Sequence, residues 1–177
     1  MNSKKFRIME VKKEIIVNKS ITEVWEVLGN QYGEAYKWAR GLYHSEAHGL
    51  PKISGAICSN RTCDTSFGKL QEEVRVFKAN EQLSYEVVKG FPSFIETGVN
   101  NWYLNEIGAN RTKVTMHFVG KTEGFMGVIM GPMMKMNLKK GLGQALSDFK
   151  FYVENDKPSP EKLKDNKKNS KKLKAVA

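Results

Sequence analysis

The feature that most limits what this chain can fold into is a run near its C-terminus. From Pro132 to about Asn155, the residues Met134, Leu138, Leu142, Ala145, Phe149 and Tyr152 with Val153 recur at steps of three and four. That is the spacing of one apolar face on a helix. Lys135, Lys139, Ser147 and Lys150 fall on the other side. Pro132 suits the first helical turn, where a missing N–H leaves no bond unmade. At about 1.5 Å per residue the helix is roughly 36 Å long, enough to cross a small domain. Such a helix is a core element and needs a broad apolar surface to lie on.

The chain has 177 residues, 40% of them hydrophobic, which suits one globular domain with a real core. No apolar run nears the ~18 residues of a membrane span, and MNSKKFRIMEVKKE lacks a secretory apolar region. A cytoplasmic location is the expectation. Cys58 and Cys63 are the only cysteines, and their odd separation puts them on opposite faces of a strand. They are expected as reduced thiols. The net charge is +10, and residues 156–177 carry eight lysines against three acids, half of that excess. We expect a domain over residues 1–155 and a Lys-rich disordered tail over 156–177. The tail fits either a solubilising extension or a loose electrostatic contact with anionic lipid or another polyanion. Only five of the 29 cationic residues are Arg, and no interleaving with aromatics suggests a nucleic-acid face.

Ahead of the helix, residues 8–17 read as a strand. Ser20 and Glu23 form a capping box for a short helix with Ile21, Val24, Trp25 and Leu28 on its apolar face. A second short helix is expected over Gly33–Ala39. Six strands follow, at about Leu42–Ala47, Ser54–Cys63, Lys69–Ala79, Gln82–Lys89, Ile95–Glu106 and Arg111–Lys121. Their short connections favour antiparallel neighbours. The order β-αα-ββββββ-α is an α+β solution in which one long helix covers one face of a sheet. Parity directs Leu70, Glu72, Val74 and Val76, then Leu83, Tyr85 and Val87, then Val114, Met116 and Phe118 toward that helix. Glu72 is the anomaly, a carboxylate on an apolar face. In the strand carrying Asn100, Asn101 and Trp102, one of the two asparagines should face inward.

Arg61-Thr62-Cys63-Asp64, then Gly68, Leu70-x-Glu72-x-Val74 and Leu83-Ser84-Tyr85 resemble a run found in START-like helix-grip proteins of the polyketide cyclase/dehydrase and lipid-transport (SRPBCC) family. Gly90-Phe91-Pro92, Asn101-Trp102 and Phe149-x-x-Tyr152-Val153-Glu154 add to the resemblance, which covers about residues 8–155. It implies a helix-grip fold: a curved seven-stranded antiparallel β-sheet wrapped around the long C-terminal α-helix, with two short helices between strands 1 and 2 plugging one end. A hydrophobic cavity would lie between sheet and helix. Gly124–Gly131, GFMGVIMG, would form a flexible mouth whose methionines suit an irregular apolar ligand as well as they suit a core. The family spans carriers, receptors and enzymes, so fold alone does not settle activity.

The resemblance places Arg61 and Glu72 near the cavity. There they would form a self-neutralising ion pair, orient a polar ligand group, or leave Glu72 as an acid–base catalyst. Tyr85 would offer its hydroxyl to the same ligand. The expected ligand-binding set is Arg61, Glu72, Tyr85, Trp102 and Met116, with Phe125, Met130 and Met134 from the mouth and helix entry. His44 and His48 do not suggest a metal site. On a strand their backbones are roughly 13 Å apart, too far for one ion. His117 pairs with no obvious nucleophile, no nucleotide-binding or serine-elbow motif occurs, and no cofactor is implied. The expected function is binding or transport of a small hydrophobic ligand such as a lipid, isoprenoid or polyketide-like compound. The alternatives are a cyclase/dehydratase-type enzyme using Glu72 in the same pocket, and a ligand-regulated interaction protein.

Overall fold

In a computed structural model, residues 6–169 are described. Strand β1 (Phe6–Val17) is followed by α1 (Ile21–Trp25), a π-helical turn (Glu26–Asn30) and a 3₁₀ turn (Tyr32–Lys37). The capping box is formed, with the Ser20 hydroxyl accepting from the Glu23 N–H and the Glu23 carboxylate accepting from the Ser20 N–H at 3.0 Å. Gly29 lies flat on the Trp25 indole, where an added Cβ would sit 2.4 Å from the ring. That contact explains the glycine in this tightly wound connection.

Six strands follow: β2 (Leu42–His48), β3 (Asn60–Thr65), β4 (Gly68–Lys78), β5 (Gln82–Lys89), β6 (Ile95–Gly108) and β7 (Arg111–Glu123). With β1 they form one seven-stranded sheet in the order β1-β7-β6-β5-β4-β3-β2, and every pair is antiparallel. The long helix α2 (Gly124–Asn155) packs on it through buried Leu142, Leu146, Phe149 and Val153. Trp38, Trp102 and Phe149 meet edge to face, with centroids 5.1 to 6.2 Å apart. This triangle ties the 3₁₀ turn, the sheet and the helix into one core. Among the described residues no helix is long and apolar enough to cross a membrane. Cys58 and Cys63 are free and buried.

Four expectations are corrected. β3 begins at Asn60 rather than Ser54, because Gly49 and Gly55 take left-handed φ values of 79° and 80° and turn residues 49–59 into a loop. Gly124–Gly131 is not a mouth loop but the first two turns of α2. The change of direction out of β7 is absorbed at Gly124 alone, φ 71°, and the methionines beyond it are good helix formers. Pro132 therefore lies inside the helix, where its ring frees the Val128 carbonyl. In β4 the register shifts between Val74 and Val76. Arg75 is thus an extra residue that reverses parity, so Phe77, not Val76, is the buried residue. Finally, part of the expected disordered tail is a helix, α3 (Pro160–Lys168), capped by Ser159, whose hydroxyl accepts from the Lys162 N–H at 3.0 Å. The remaining tail residues, 170–177, lie outside the described residues.

The bulge is testable. Phe77 packs edge-on against Trp25 with centroids 4.9 Å apart. Phe77→Ala should lower stability by about 3–5 kcal/mol in urea unfolding, and Val76→Thr by less than about 1 kcal/mol. The reverse ranking would refute the bulged register.

Candidate ligand-binding site

A cavity of about 250 Å³ lies between the short helical turns, the sheet and α2. Its apolar wall comes from Val27, Leu28, Ala35 and Trp38, from Leu70, Leu83 and Trp102 on the sheet, and from Ala145 on α2. It reaches the surface at the β3–β4 turn, where the lining residues Ser66 and Phe67 are exposed.

Its polar end is built by strand register. Arg61 on β3 stands directly opposite Glu72 on β4, and both side chains are buried. The Arg61 Nε donates to Glu72 Oε2 at 2.8 Å, Nη2 lies 2.6 Å from the same oxygen, and Nη1 donates to the Tyr32 carbonyl at 2.7 Å. Tyr32 Oη donates to Oε2 at 3.1 Å, and the Cys63 thiol lies 3.7 Å from it. The guanidinium carbon sits 3.9 Å from the Tyr32 ring centroid and 5.1 Å from that of Tyr85. Every polar contact to the Glu72 carboxylate falls on Oε2. Among the described residues Oε1 receives no hydrogen bond, while Glu72 lines the cavity.

Desolvation dominates the protonation of the surrounding groups. Burial pushes the Tyr32 hydroxyl well above its ordinary value. Burial, helped by the Glu72 charge, raises Tyr85 to about 12. Cys63 is likewise raised to about 12, burial again leading. For Arg61 burial is the largest single effect and opposes the charge, but the Glu72 carboxylate together with Tyr32, Cys63 and Tyr85 outweighs it and holds the guanidinium well above its ordinary value. These groups are proton-holding at neutral pH, so the site presents one ion pair and neutral hydroxyls. Tyr85 Oη accepts from Asn100 Nδ2 at 3.0 Å and from Trp102 Nε1 at 3.4 Å. Asn100 is the inward asparagine, its Oδ1 buried without a hydrogen-bond partner. Asn101 binds Ser84 and the His117 carbonyl on the other face.

Of the expected ligand-facing residues, Arg61, Glu72, Tyr85 and Trp102 line the cavity; Met116, Phe125, Met130 and Met134 do not. Met116 is buried opposite Trp102, Met134 packs on the core, Met130 is half-buried and Phe125 is exposed. Tyr32, Trp38, Cys63 and Ala145 were missed. Cys63 was within reach of a parity argument, two residues from Arg61. Tyr32 was not, because its position depends on the π and 3₁₀ turns.

The loop between the 3₁₀ turn and β2 lines the cavity with Arg40 and Gly41, and β2 with its first residue, Leu42; the C-terminal segment fastens each of them. Arg40 forms a two-pronged pair with buried Asp148, Nε to Oδ2 at 2.7 Å and Nη2 to Oδ1 at 3.1 Å. The Ser159 hydroxyl donates to the same carboxylate at 2.6 Å. The Gly41 N–H donates to Asp165 at 2.8 Å, and the buried Lys162 Nζ donates to the Leu42 carbonyl at 2.7 Å. Burial lowers the Lys162 ammonium to about 8, against partial support from Asp165 and Asp148.

No protein-family model matches the chain, and no curated protein does. Solved structures match in fold. A START superfamily protein from Mycobacterium smegmatis is 17% identical at a TM-score of 0.67, over 82% of this chain and 97% of that one. The Zhui aromatase/cyclase from Streptomyces sp. R1128 is 13% identical at 0.64, over 86% and 100%. A norcoclaurine synthase point mutant from Thalictrum, solved with a transition-state analogue, is 10% identical at 0.61, over 86% and 97%. The chain has the START-like helix-grip fold that these structures share.

Two predictions follow from this chemistry. Removing one partner leaves the other charge buried, so Arg61→Met or Glu72→Leu alone should cost about 3–5 kcal/mol in urea unfolding. The double variant should recover most of that loss, and if it does not, the pair is a net stabiliser. For Lys162, the folded value of about 8 lies below the ordinary 10.5, so the folded state binds fewer protons across that window. Stability from this group therefore rises with pH between about 8 and 10.5 and is lost as pH falls through 8. The stability of the parent relative to Lys162→Met should climb across unfolding series at pH 7 to 10. A flat difference would mean that the amine is not held in a desolvated site.

Proposed function

We propose, on the premise of the helix-grip fold, that this protein binds and carries a small hydrophobic molecule in the cavity between sheet and α2. The observation that carries the reading is the composition of the wall. Its sides are apolar and aromatic, and polar groups converge at one end, the arrangement that drives binding by burial and fixes orientation with few hydrogen bonds. A volume of about 250 Å³ is worth about eight waters at roughly 30 Å³ each. It suits a compact ring compound or short isoprenoid, or the end of a longer chain that leaves through the rim beside Phe67. A ligand hydroxyl would donate to Glu72 Oε1, and the Tyr85 hydroxyl would hydrogen-bond a polar atom beside it.

A second reading, a cyclase/dehydratase-type enzyme, is favoured by the same open oxygen, since Glu72 Oε1 and the Tyr85 hydroxyl are the groups a reacting carbonyl would meet. The Zhui aromatase/cyclase shares the fold, which supports this reading by analogy only. Against it, the other carboxylate oxygen is fully engaged by Arg61 and Tyr32, as befits a structural pair.

Native mass spectrometry of protein purified from its own host, followed by denaturing extraction, tests both. A stoichiometric apolar molecule supports the carrier. Turnover of a candidate substrate lost in Glu72→Gln, with binding kept, supports the enzyme. Ala145→Phe should fill the cavity and weaken binding of the neutral probe N-phenyl-1-naphthylamine by about tenfold or more, at a packing cost of about 1–3 kcal/mol. Unchanged probe affinity in that variant would exclude this cavity as the binding site.

A further inference from the structure

The first half of α2 has two apolar faces. Its inner face, through Met134 and Leu138 and on to Leu142, packs on the core. On the outside, Phe125, Met126, Ile129, Met133 and Met136 are exposed by 47% to 76%. At 3.6 residues per turn these five fall within an arc of about 100°, roughly opposite the inner face. They make a continuous ridge about 16 Å long. Monomeric proteins rarely leave such a ridge bare without a partner for it.

The charge around the ridge selects the partner. From Gly124 to Ser147 the helix contains no Asp or Glu, and its only charged residues are Lys135, Lys139 and Lys140. All three are exposed, and none forms an ion pair among the described residues. Lys140 continues the ridge one turn beyond Met136, with Lys139 beside it. A second copy of this helix would bring only further lysines to meet them. An anionic, apolar-cored surface satisfies both parts, taking Phe, Ile and Met side chains below the headgroups and lysines at their level.

We propose that the outer face of the N-terminal half of α2 docks the protein on an anionic phospholipid bilayer. This docking does not depend on what the cavity holds. It is also separate from the lysine-rich C-terminal segment, because the ridge carries its own cations.

The test is co-sedimentation of the full chain with phosphatidylcholine vesicles, with and without about one third phosphatidylglycerol. Binding should favour the anionic vesicles about tenfold and fall with added salt. Phe125→Ser/Ile129→Ser should weaken it by about tenfold with an unchanged circular dichroism spectrum. Lys139→Glu/Lys140→Glu should remove the preference for anionic lipid. Met133→Cys, labelled with an environment-sensitive fluorophore while Cys58 and Cys63 stay buried, should shift to the blue only on anionic vesicles, a readout that needs no loss of function. Three results would each overturn the proposal: no binding to either vesicle, binding that survives the ridge variants but is lost in Lys171→Gln/Lys172→Gln/Lys174→Gln, or a ridge that instead holds a dimer in light scattering.

Discussion

A carboxylate on the apolar face of a sheet has to be neutralised or the fold does not close, and this constraint organises the site. Glu72 is held where register puts Arg61 directly across from it. Desolvating both charges is costly enough that neither would be tolerated alone. The surroundings complete the neutralisation: a tyrosine hydroxyl and a thiol lie at the same oxygen, and the Tyr32 carbonyl takes the outer guanidinium nitrogen. Two aromatic rings flank the cation. The result is a polar end to the cavity that is closed on Oε2 and open on Oε1. That end of the cavity offers hydrogen-bonding capacity without a net charge.

The cavity itself is a consequence of large side chains on three separate elements. Trp38, Trp102 and Phe149 hold the 3₁₀ turn, the sheet and α2 at a fixed spacing. Where the facing residue on α2 shrinks to Ala145, space remains. The rim loop at Arg40 and Gly41, leading into β2 at Leu42, has no regular structure of its own. Its order comes from Asp148, Asp165 and Lys162, one residue of α2 and two of α3. The C-terminal segment therefore braces the wall of the cavity from behind, and a change in α3 acts on the cavity rim through hydrogen bonds to the backbone of Gly41 and Leu42.

The element order, the antiparallel sheet and the inner stripe of α2 were legible because each rests on local periodicity. Glu72 stood out for the same reason: one carboxylate sits in the alternation of apolar residues between Leu70 and Val74. Arg61 and Tyr85 were placed near the cavity by resemblance, and cross-strand register supplies the physical cause. What was not legible depends on single-residue irregularities. One extra residue at Arg75 moves Phe77 rather than Val76 into the core. One left-handed glycine, Gly124, starts a helix where eight residues rich in Gly and Met suggested a loop. A helix entering eight residues early carries Phe125 and Met130 away from the ligand onto its outer and flanking faces, while Met134 is taken up by the core and Met116 by its place opposite Trp102.

The lysines make the same point about composition. Residues 156–177 average to the profile of a disordered tail, and an average hides a cap. Ser159-Pro160-Glu161 is a helix start, with a hydroxyl for the free N–H groups, a proline where no N–H is needed and an acid at the positive end. Once that start forms, Lys162 must point somewhere, and it points inward to the Leu42 carbonyl because Ser159 is already fixed to Asp148. Lys139 and Lys140, identical in type, stay in solvent beside an apolar ridge because α2 has spent its inner face on the sheet. Residue type sets the cost of burial, and the nearest buried acceptor decides which lysine bears it.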